Sequence, residues 1–358
     1  MRARAARRPD RPHRETAGMT TSAPVRLDEV DRRIVAALQI HGRASWQQLA
    51  RAVGASDSTV ARRVNRLLED GLVKVVASTD PLLCAQGYPV LIQITSKAGA
   101  ATAVAQELAA RPDVRFAALV TGSFDVVIEL IVTSQTDLAR VLFNEIDRVP
   151  GIWSTTTESV LSHYKVAHVW LRETLSDTAA AALEAERGTV EAGMPRLLDP
   201  RELDLVGLLA EDARASFTTM AQRLGTSESG VRRRLDALVR EGRVGFSTIV
   251  EPELLGYTAP TLYWLQMDLA HVEEAARTLA SQQDVRYVAA TAGYSDVAVE
   301  VVLRDQQDLH RFNTQVLARL PGLHRAEAGL ELVTLKRAFV LNEAMSDLFT
   351  PTKEPSHG

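Results

Sequence analysis

The stretch 56-SDSTVARRVNRLLEDGLV-73 decides the fold of this 358-residue chain. Val60, Val64 and Leu67 recur at helical spacing, so the segment predicts a helix with one apolar face. The serines at its start are typical N-cap residues, and Gly71 marks its end. The arginines fall on the face that the apolar stripe leaves free.

The residues upstream of this helix predict two more helices. Residues 28–40 form a first amphipathic pattern, with Asp28 as its N-cap. Ser45 and Gln48 have the spacing of a capping box and open a short second helix that stops at Gly54. Two short helices joined by a tight turn predict a helix-turn-helix.

The same pattern occurs twice in the chain. A shift of 171 residues aligns the second copy of the pattern with the first. Arg43 and Arg214, for example, are 171 residues apart. The matched segments are Arg43-Ala44-Ser45 with Arg214-Ala215-Ser216, Gly54 with Gly225, Arg62-Arg63 with Arg233-Arg234, Gly122 with Gly293, and Asp125 with Asp296. Such self-similarity indicates a tandem duplication, with halves at about 27–171 and 198–341.

Each half continues into an α/β pattern. In the first half, residues 72–78 predict a strand that completes a winged-helix-like domain. The following predicted elements are strand 88–96, helix 99–110, strand 114–122, strand 125–133, helix 135–149 and strand 153–171. This order, βαββαβ, is that of a ferredoxin-like (ACT-like) domain, so the predicted fold class is α+β with two tandem units.

These patterns set the predicted domain boundaries. The boundaries are a disordered basic tail over 1–25, helix-turn-helix domains over 26–80 and 198–251, ferredoxin-like sensor domains over 81–172 and 252–343, a linker over 173–197, and a disordered tail over 344–358. The linker is rich in Ala, Glu and Gly, and we expect it to be partly helical.

The composition excludes several classes of protein. The net charge of −4 argues against a protein that coats a polyanion, and the single cysteine, Cys84, cannot form an internal disulfide. The sequence contains no apolar run of about 18 residues, so we predict no transmembrane helix. His163 and His168 lack neighbouring ligands, so we predict no metal site. One thiol gives no sign of an oxidising compartment, so we expect a cytoplasmic protein. No Gly-rich phosphate loop or catalytic motif is recognisable, so we expect that it is not an enzyme.

The combination of motifs resembles the leucine-responsive/asparagine regulator (Lrp/AsnC) family. The features that carry the resemblance are the 56–73 stretch, Gly-Ser-Phe-Asp at 122–125, and Pro150-Gly151-Ile152 leading into the threonines that follow. The resemblance covers nearly all of both halves and implies a DNA-binding transcriptional regulator. It also implies sensor domains that associate through their sheets and an effector, often an amino acid, at contacts between them.

The helix-turn-helix residues expected to contact double-stranded DNA lie near the start of each third helix, where such motifs meet bases and phosphates. They are Ser56, Ser58, Thr59, Arg62, Arg63 and Arg66 in the first copy, and Ser227, Ser229, Arg232, Arg233 and Arg234 in the second. The second copy has Gly230 where the first has Thr59. An arginine fork suits both guanine edges and phosphates, and its recurrence in two copies favours DNA contact over an ordinary solvated face.

The resemblance also assigns an effector loop. The matching positions are Gly122, Ser123, Phe124, Asp125, Thr155 and Thr157 in the first half, and Gly293 and Asp296 in the second. The second copy departs from the pattern because Ser295 stands where the first has Phe124, and the equivalent threonines are missing. The alternative for this loop is a tight hairpin turn with a capping Asp.

Two other functions fit the same pattern. Paired helix-turn-helix modules can bridge DNA architecturally without an effector, and a sensor domain can regulate a partner protein without DNA. We expect a homo-oligomer, because sensor sheets pair. Trp46 and Phe217, at matching positions, are interpreted as packing aromatics rather than base-stacking residues.

Overall fold

The computed structural model describes residues 27–166, 169–191 and 193–342. Both helix-turn-helix modules have three helices and one strand. Their elements are α1 (Glu29–Ile40), α2 (Trp46–Val53), α3 (Asp57–Glu69) and β1 (Val73–Thr79), and, in the second module, α7 (Pro200–Glu211), α8 (Phe217–Leu224), α9 (Glu228–Arg240) and β6 (Val244–Val250). The predicted tails and His168 lie outside the described residues.

Local capping chemistry explains where these helices begin. Asp28 accepts a hydrogen bond from the Asp31 amide at the start of α1, and Ser45 forms the predicted capping box with Gln48. Gly54 ends α2 in the left-handed region, at a φ of 74°, which glycine adopts without strain. The sequence signals for the helix-turn-helix are confirmed.

Both halves continue into the predicted βαββαβ order. The elements are β2 (Tyr88–Ser96), α4 (Ala101–Ala109), β3 (Val114–Val120), β4 (Val126–Val132), α5 (Gln135–Arg140) and β5 (Ile152–Lys165), then α6 (Asp177–Arg187) between the halves, and β7 (Ala259–Met267), α10 (Val272–Ser281), β8 (Val285–Ala292), β9 (Val297–Leu303), α11 (Gln306–Arg311), β10 (Leu323–Arg337) and β11 (Val340–Leu341). Helix α5 ends earlier than predicted, because the chain widens into a π turn over 141–145 and then tightens into a 3-10 turn over 146–148.

The strands of the two sensor domains join into one closed ring. Within the domains the orders are β3-β4-β2-β5 and β8-β9-β7-β10, the ferredoxin-like arrangement. The last strand of each domain also pairs with the other domain, β5 with β8 and β10 with β3, and β10 pairs with β7 of its own domain as well. Two equivalent domains of one chain therefore associate through their sheet edges, which leaves few unpaired edges.

The two helix-turn-helix modules exchange segments. Strands β1 and β6, one from each module, pair antiparallel as a two-stranded sheet. Cys84 follows β1 but is buried in the core of the second module, whereas its repeat equivalent Leu255 is buried in the core of the first. Each module thus completes its core with residues from the other half.

The segment between the halves packs on the first module. Leu175 and Leu183 of this segment are buried in the same core as α1 and α2, together with Trp170 at the end of the first half. Further along, Arg243 of the second module donates hydrogen bonds to the carbonyls of Leu83 and Met194. The connection is therefore a structural part of the fold as well as a linker.

Neither a membrane span nor a metal cluster occurs among the residues that the structure describes. None of the helices there is long and apolar enough to cross a membrane. No group of three or more His, Cys, Asp or Glu side chains in the described ranges is arranged to hold a metal ion.

Candidate DNA-binding and effector sites

The first candidate DNA surface lies on α3. Ser56 caps the helix by accepting from the Thr59 amide, and its hydroxyl also contacts those of Ser58 and Thr59. Arg62 is exposed and makes no ion pair with any described residue. The serines therefore fix the start of α3, while the guanidinium of Arg62 is free to meet a phosphate or a base.

Arg63 and Arg66 have partners within the protein. Arg63 donates to Asp28 at 2.6 Å and to Asp31 at 2.9 Å, and Arg66 donates to Asp31 at 2.7 Å. Asp31 is buried at the start of α1, so these bonds tie α3 to α1. The Asp31 amide and Arg63 lower the pKa of Asp28, and the carboxylates raise the pKa of Arg63. These two predicted DNA contacts are also structural residues.

Helix α9 repeats this division of roles. Ser227 caps the helix through the Gly230 amide and contacts the Ser229 hydroxyl. Arg234 bonds Asp199, the N-cap of α7, at 3.2 Å, as Arg63 bonds Asp28. The remaining arginines of the cluster are both exposed: Arg233 has no ion pair with any described residue, and Arg232 lies 4.0 Å from the centre of the Phe217 ring.

A reciprocal arginine contact fixes the modules to each other. Arg43 donates to the carbonyls of Ala213 and Ala215 at 2.5 and 2.7 Å, and Arg214 donates to those of Gly42 and Ala44 at 2.5 and 2.8 Å. The guanidinium groups also lie over aromatic rings, Arg43 over Phe217 and Arg214 over Trp46. We call Arg43, Arg214, Trp46 and Phe217 the arginine clamp. Trp46 and Phe217 pack against the two guanidinium groups, as the sequence interpretation expected.

The two hairpin loops of the predicted effector site lie on the last strand of the opposite half. A Cβ at Gly122 would come within 3.1 Å of the Ala328 carbonyl, and one at Gly293 within 3.0 Å of the Thr157 carbonyl. Both glycines have positive φ, 115° and 156°. The loops need glycine because they approach backbone closely, and this places them at the contact between the sensor domains.

The loop carboxylates hold the hairpins in place. Asp125 accepts from the Ser96 amide at 2.7 Å, and Asp296 accepts from the Met267 amide at 2.8 Å. Ser123 is exposed, and its carbonyl accepts a long hydrogen bond from the Thr95 hydroxyl. The capping role that sequence reasoning gave as the alternative is therefore present in both copies, beside a free loop tip.

The remaining predicted effector residues of the first half lie on opposite faces of the sheet. Phe124 is buried between the sheets, with its ring edge-to-face on Trp264 at 4.6 Å. Thr155 and Thr157 pair with Ile94 and Ile92, whose side chains lie in the core beneath α4. The structure does not bring these threonines together with Phe124.

The second loop contains a buried pair that the sequence analysis missed. Ser295 donates from its amide and its hydroxyl to Glu158, at 2.8 and 2.9 Å. Burial raises the pKa of Glu158, and the bonds from Ser295 oppose that shift. The equivalent positions in the other copy are Phe124 and Gly329. Because both members of the pair change together between the copies, comparison of the repeats across the shift of 171 could have found it.

Charged groups are also buried where the sheets face each other. Arg115 forms a two-pronged ion pair with Glu129, and its repeat equivalent Arg286 pairs with Glu300. Arg337 bridges Glu300 and Glu331. Burial and the neighbouring Glu300 raise the pKa of Glu331 to about 8. The interior between the sheets therefore contains buried ion pairs as well as the apolar cluster around Phe124.

The geometry defines a class of protein: two helix-turn-helix modules, joined in one chain, above a pair of associated sensor domains. The model of the AsnC-type helix-turn-helix domain matches residues 27–68 and 198–239, and that of the Lrp/AsnC ligand binding domain matches 89–169 and 262–341. The chain belongs to the Lrp/AsnC family of DNA-binding transcriptional regulators. The predicted family and its double-length form are confirmed.

The relatives with curated sequences match one half of the chain. An uncharacterized HTH-type transcriptional regulator of Pyrococcus abyssi is 34% identical over 145 residues, which is 40% of this chain and 91% of the relative. The HTH-type transcriptional regulator FL11 of Pyrococcus horikoshii is 33% identical over 144 residues, 39% of this chain and 93% of the relative. These relatives thus have the length of one repeat.

Solved structures of one enzyme, with and without a bound ligand, are similar over both halves. The siroheme decarboxylase NirDL, in co-complex with an iron-uroporphyrin III analogue, superposes with a TM-score of 0.55 and covers 90% of this chain and 97% of its own. Its sequence identity is 17%, so this likeness shows the fold alone.

Proposed function

We propose that this chain is a sequence-specific transcriptional regulator that contacts DNA through α3 and α9. The observation that carries the proposal is a repeated one: Arg62 and Arg233 are equivalent in the two copies, are exposed, and have no ion-pair partner among the described residues. Arginines at these helix positions suit guanine edges and phosphates. Discrete operators distinguish this function from an architectural one, in which footprinting gives uniform protection.

The experiment removes both free arginines. We expect R62A/R233A to weaken operator binding and to reduce the slope of log K against log salt by roughly 0.9 for each phosphate that is no longer neutralised. A gel-shift titration across a salt series measures both quantities. The matched control is R148A/R319A, which removes equivalent exposed arginines from the two sensor domains. Equal slopes for the wild type and R62A/R233A contradict the proposal.

We further propose that an amino acid or a related small metabolite modulates DNA binding at the hairpin loops. Their position supports this, since the loop around Ser123 lies where one sensor domain contacts the last strand of the other. An effector at such a contact shifts the equilibrium between arrangements only if it binds one of them more tightly. Genome-wide binding with and without candidate amino acids tests this, and identical occupancy in all conditions contradicts it.

We also propose that chains associate through their sensor domains. Leu161 and Leu332 are equivalent residues on β5 and β10, and their exposed fractions are 61% and 60%. Repeated exposed leucines are typical of an association surface. Light scattering tests this proposal: we expect a mass of at least two chains, and of one chain for L161E/L332E. A wild-type mass of one chain contradicts it.

A further inference from the structure

A large cavity lies between the helix-turn-helix modules and the sensor ring. Its volume is about 1160 Å³. One wall comes from the modules, at the end of α1 and along α9 and β6, and the other from strands of both sensor domains. A volume of this size is that of a small-molecule site. The cavity is separate from the hairpin loops, whose predicted effector residues do not line it.

The charges around the cavity favour an anion. Eight arginine or lysine side chains and five carboxylates line it, which leaves an excess of three positive charges. The buried arginines of the sensor wall are neutralised by Glu129, Glu300 and Glu331, of which Glu331 lies outside the lining. The other five cations of the lining face three carboxylates, which leaves an excess of two positive charges.

Two of these other cations donate hydrogen bonds only to backbone carbonyls. Arg43 is bonded to the carbonyls of the clamp, and Lys165 donates to the Gln282 carbonyl at 2.8 Å. Burial lowers the pKa of Lys165 to about 8, and the charge of nearby Asp284 opposes that shift only in part. Arg240 has no ion pair with any described residue. An anionic ligand would supply the missing countercharge.

Aromatic rings line the same space. Phe217 lies on the module wall, and Trp264 and Tyr287 lie on the sensor wall. Flat apolar surfaces on two sides, together with separated cations, suit a ligand with an aromatic body and acidic groups on more than one edge.

We propose that this cavity binds an aromatic organic anion with at least two acidic groups, and that its occupancy weakens DNA binding by engaging Arg232. Arg232 lines the cavity and is also among the exposed arginines of α9. A ligand acid that pairs with Arg232 removes a cation from the DNA surface. This coupling goes beyond the proposed function, which places its effector at the loops.

The repeat supplies a matched pair of variants. Lys336 is the equivalent of Lys165 and donates to the Arg111 carbonyl as Lys165 does to that of Gln282, but it does not line the cavity. K165M and K336M therefore remove similar lysines inside and outside the proposed site. The probe is the dye bis-ANS, which carries two sulfonates on aromatic rings, and its fluorescence is titrated without DNA.

We expect saturable binding of about one dye per chain, weakened at least fivefold by K165M and left within twofold by K336M. The exposed charge reversal R240E should weaken binding similarly, with R319E as its control. Equal affinities of K165M and K336M, or of R240E and R319E, overturn the site.

In gel shifts with a labelled operator, saturating dye should weaken wild-type DNA binding at least threefold, and R232A should abolish that effect. Dye binding without any change in DNA affinity overturns the coupling alone. Failure of DNA binding in the absence of dye contradicts the proposed function and leaves the dye titration interpretable.

Discussion

Arg43 and Arg214, equivalent residues of the two repeats, each donate two hydrogen bonds to backbone carbonyls in the loop that carries the other. No carboxylate takes part in these bonds, and burial lowers the pKa of Arg214 to about 10. Each arginine therefore satisfies carbonyls that would otherwise be left unpaired where the two modules meet. The clamp fixes the spacing of α3 and α9 before DNA arrives.

We expect R43A and R214A each to lower the free energy of unfolding by roughly 1–3 kcal/mol, because each leaves half-buried carbonyls without donors. The double variant should lose less than the sum of the single losses, since both residues hold one interface. Urea denaturation measures these values. R223A, which breaks the exposed ion pair with Glu211, is the control and should leave the unfolding free energy nearly unchanged. Additive losses for the double variant contradict a shared clamp.

The arginines of α3 should separate into two kinds. R63A removes bonds to Asp28 and to the buried Asp31, so we expect a loss of about 1–3 kcal/mol in unfolding free energy. R62A removes no internal bond and should change stability by less than about 0.5 kcal/mol. Thermal and urea unfolding of both variants test the difference. Equal stabilities would show that the tie between α3 and α1 does not hold in solution.

The buried pair of Ser295 and Glu158 should be energetically coupled. S295A removes the hydroxyl donor from a buried carboxylate, and we expect it to cost roughly 1–3 kcal/mol and to raise the pKa of Glu158 further. In E158Q the partner is no longer a carboxylate, so S295A should cost less in that background. A double-mutant cycle in urea unfolding measures the coupling, and a value near zero would refute it.

The stability of the protein should depend on the protonation of Glu331. The folded chain holds this proton more tightly than the unfolded chain, since burial and Glu300 raise the pKa from 4.5 to about 8. The unfolding free energy contributed by this group is therefore present below the ordinary pKa and is lost as the pH rises to about 8. E331Q should flatten the decline of the unfolding free energy between about pH 4.5 and about pH 8. The exposed variant E107Q is the control and should keep the wild-type profile.

Cys84, the one cysteine of the chain, should report on the exchange of segments between the modules. It is fully buried in the core of the second module, and burial raises its pKa to about 11. We expect Ellman's reagent to label the native protein on the order of 10³ times more slowly than the unfolded chain, because reaction requires local opening. Rapid labelling of the native protein would place Cys84 outside that core.

The sequence predicted the features that depend on short-range signals. Caps such as Ser45 and Ser56, the helical periodicity, and the repeat were all readable, and the structure confirms them. The pairing of β1 with β6 and the burial of Cys84 in the other module were not readable, because both depend on how the halves pack together. Phe124 shows the same limit: a motif identified its loop, but only the fold places its ring against Trp264.

The segment exchange has a consequence for the operator. An ordinary homodimer presents two identical recognition helices and binds a palindromic operator. Here a single polypeptide fixes one α3 beside one α9, and the two helices differ at Thr59 and Gly230 and in their arginines. Because α3 and α9 are linked in one chain and differ in sequence, the operator does not need to be palindromic. Each half-site can then diverge together with the helix that contacts it. We expect the DNA targets of this chain to be asymmetric and to have a direction, so that an operator bound one way round is not equivalent to its reverse.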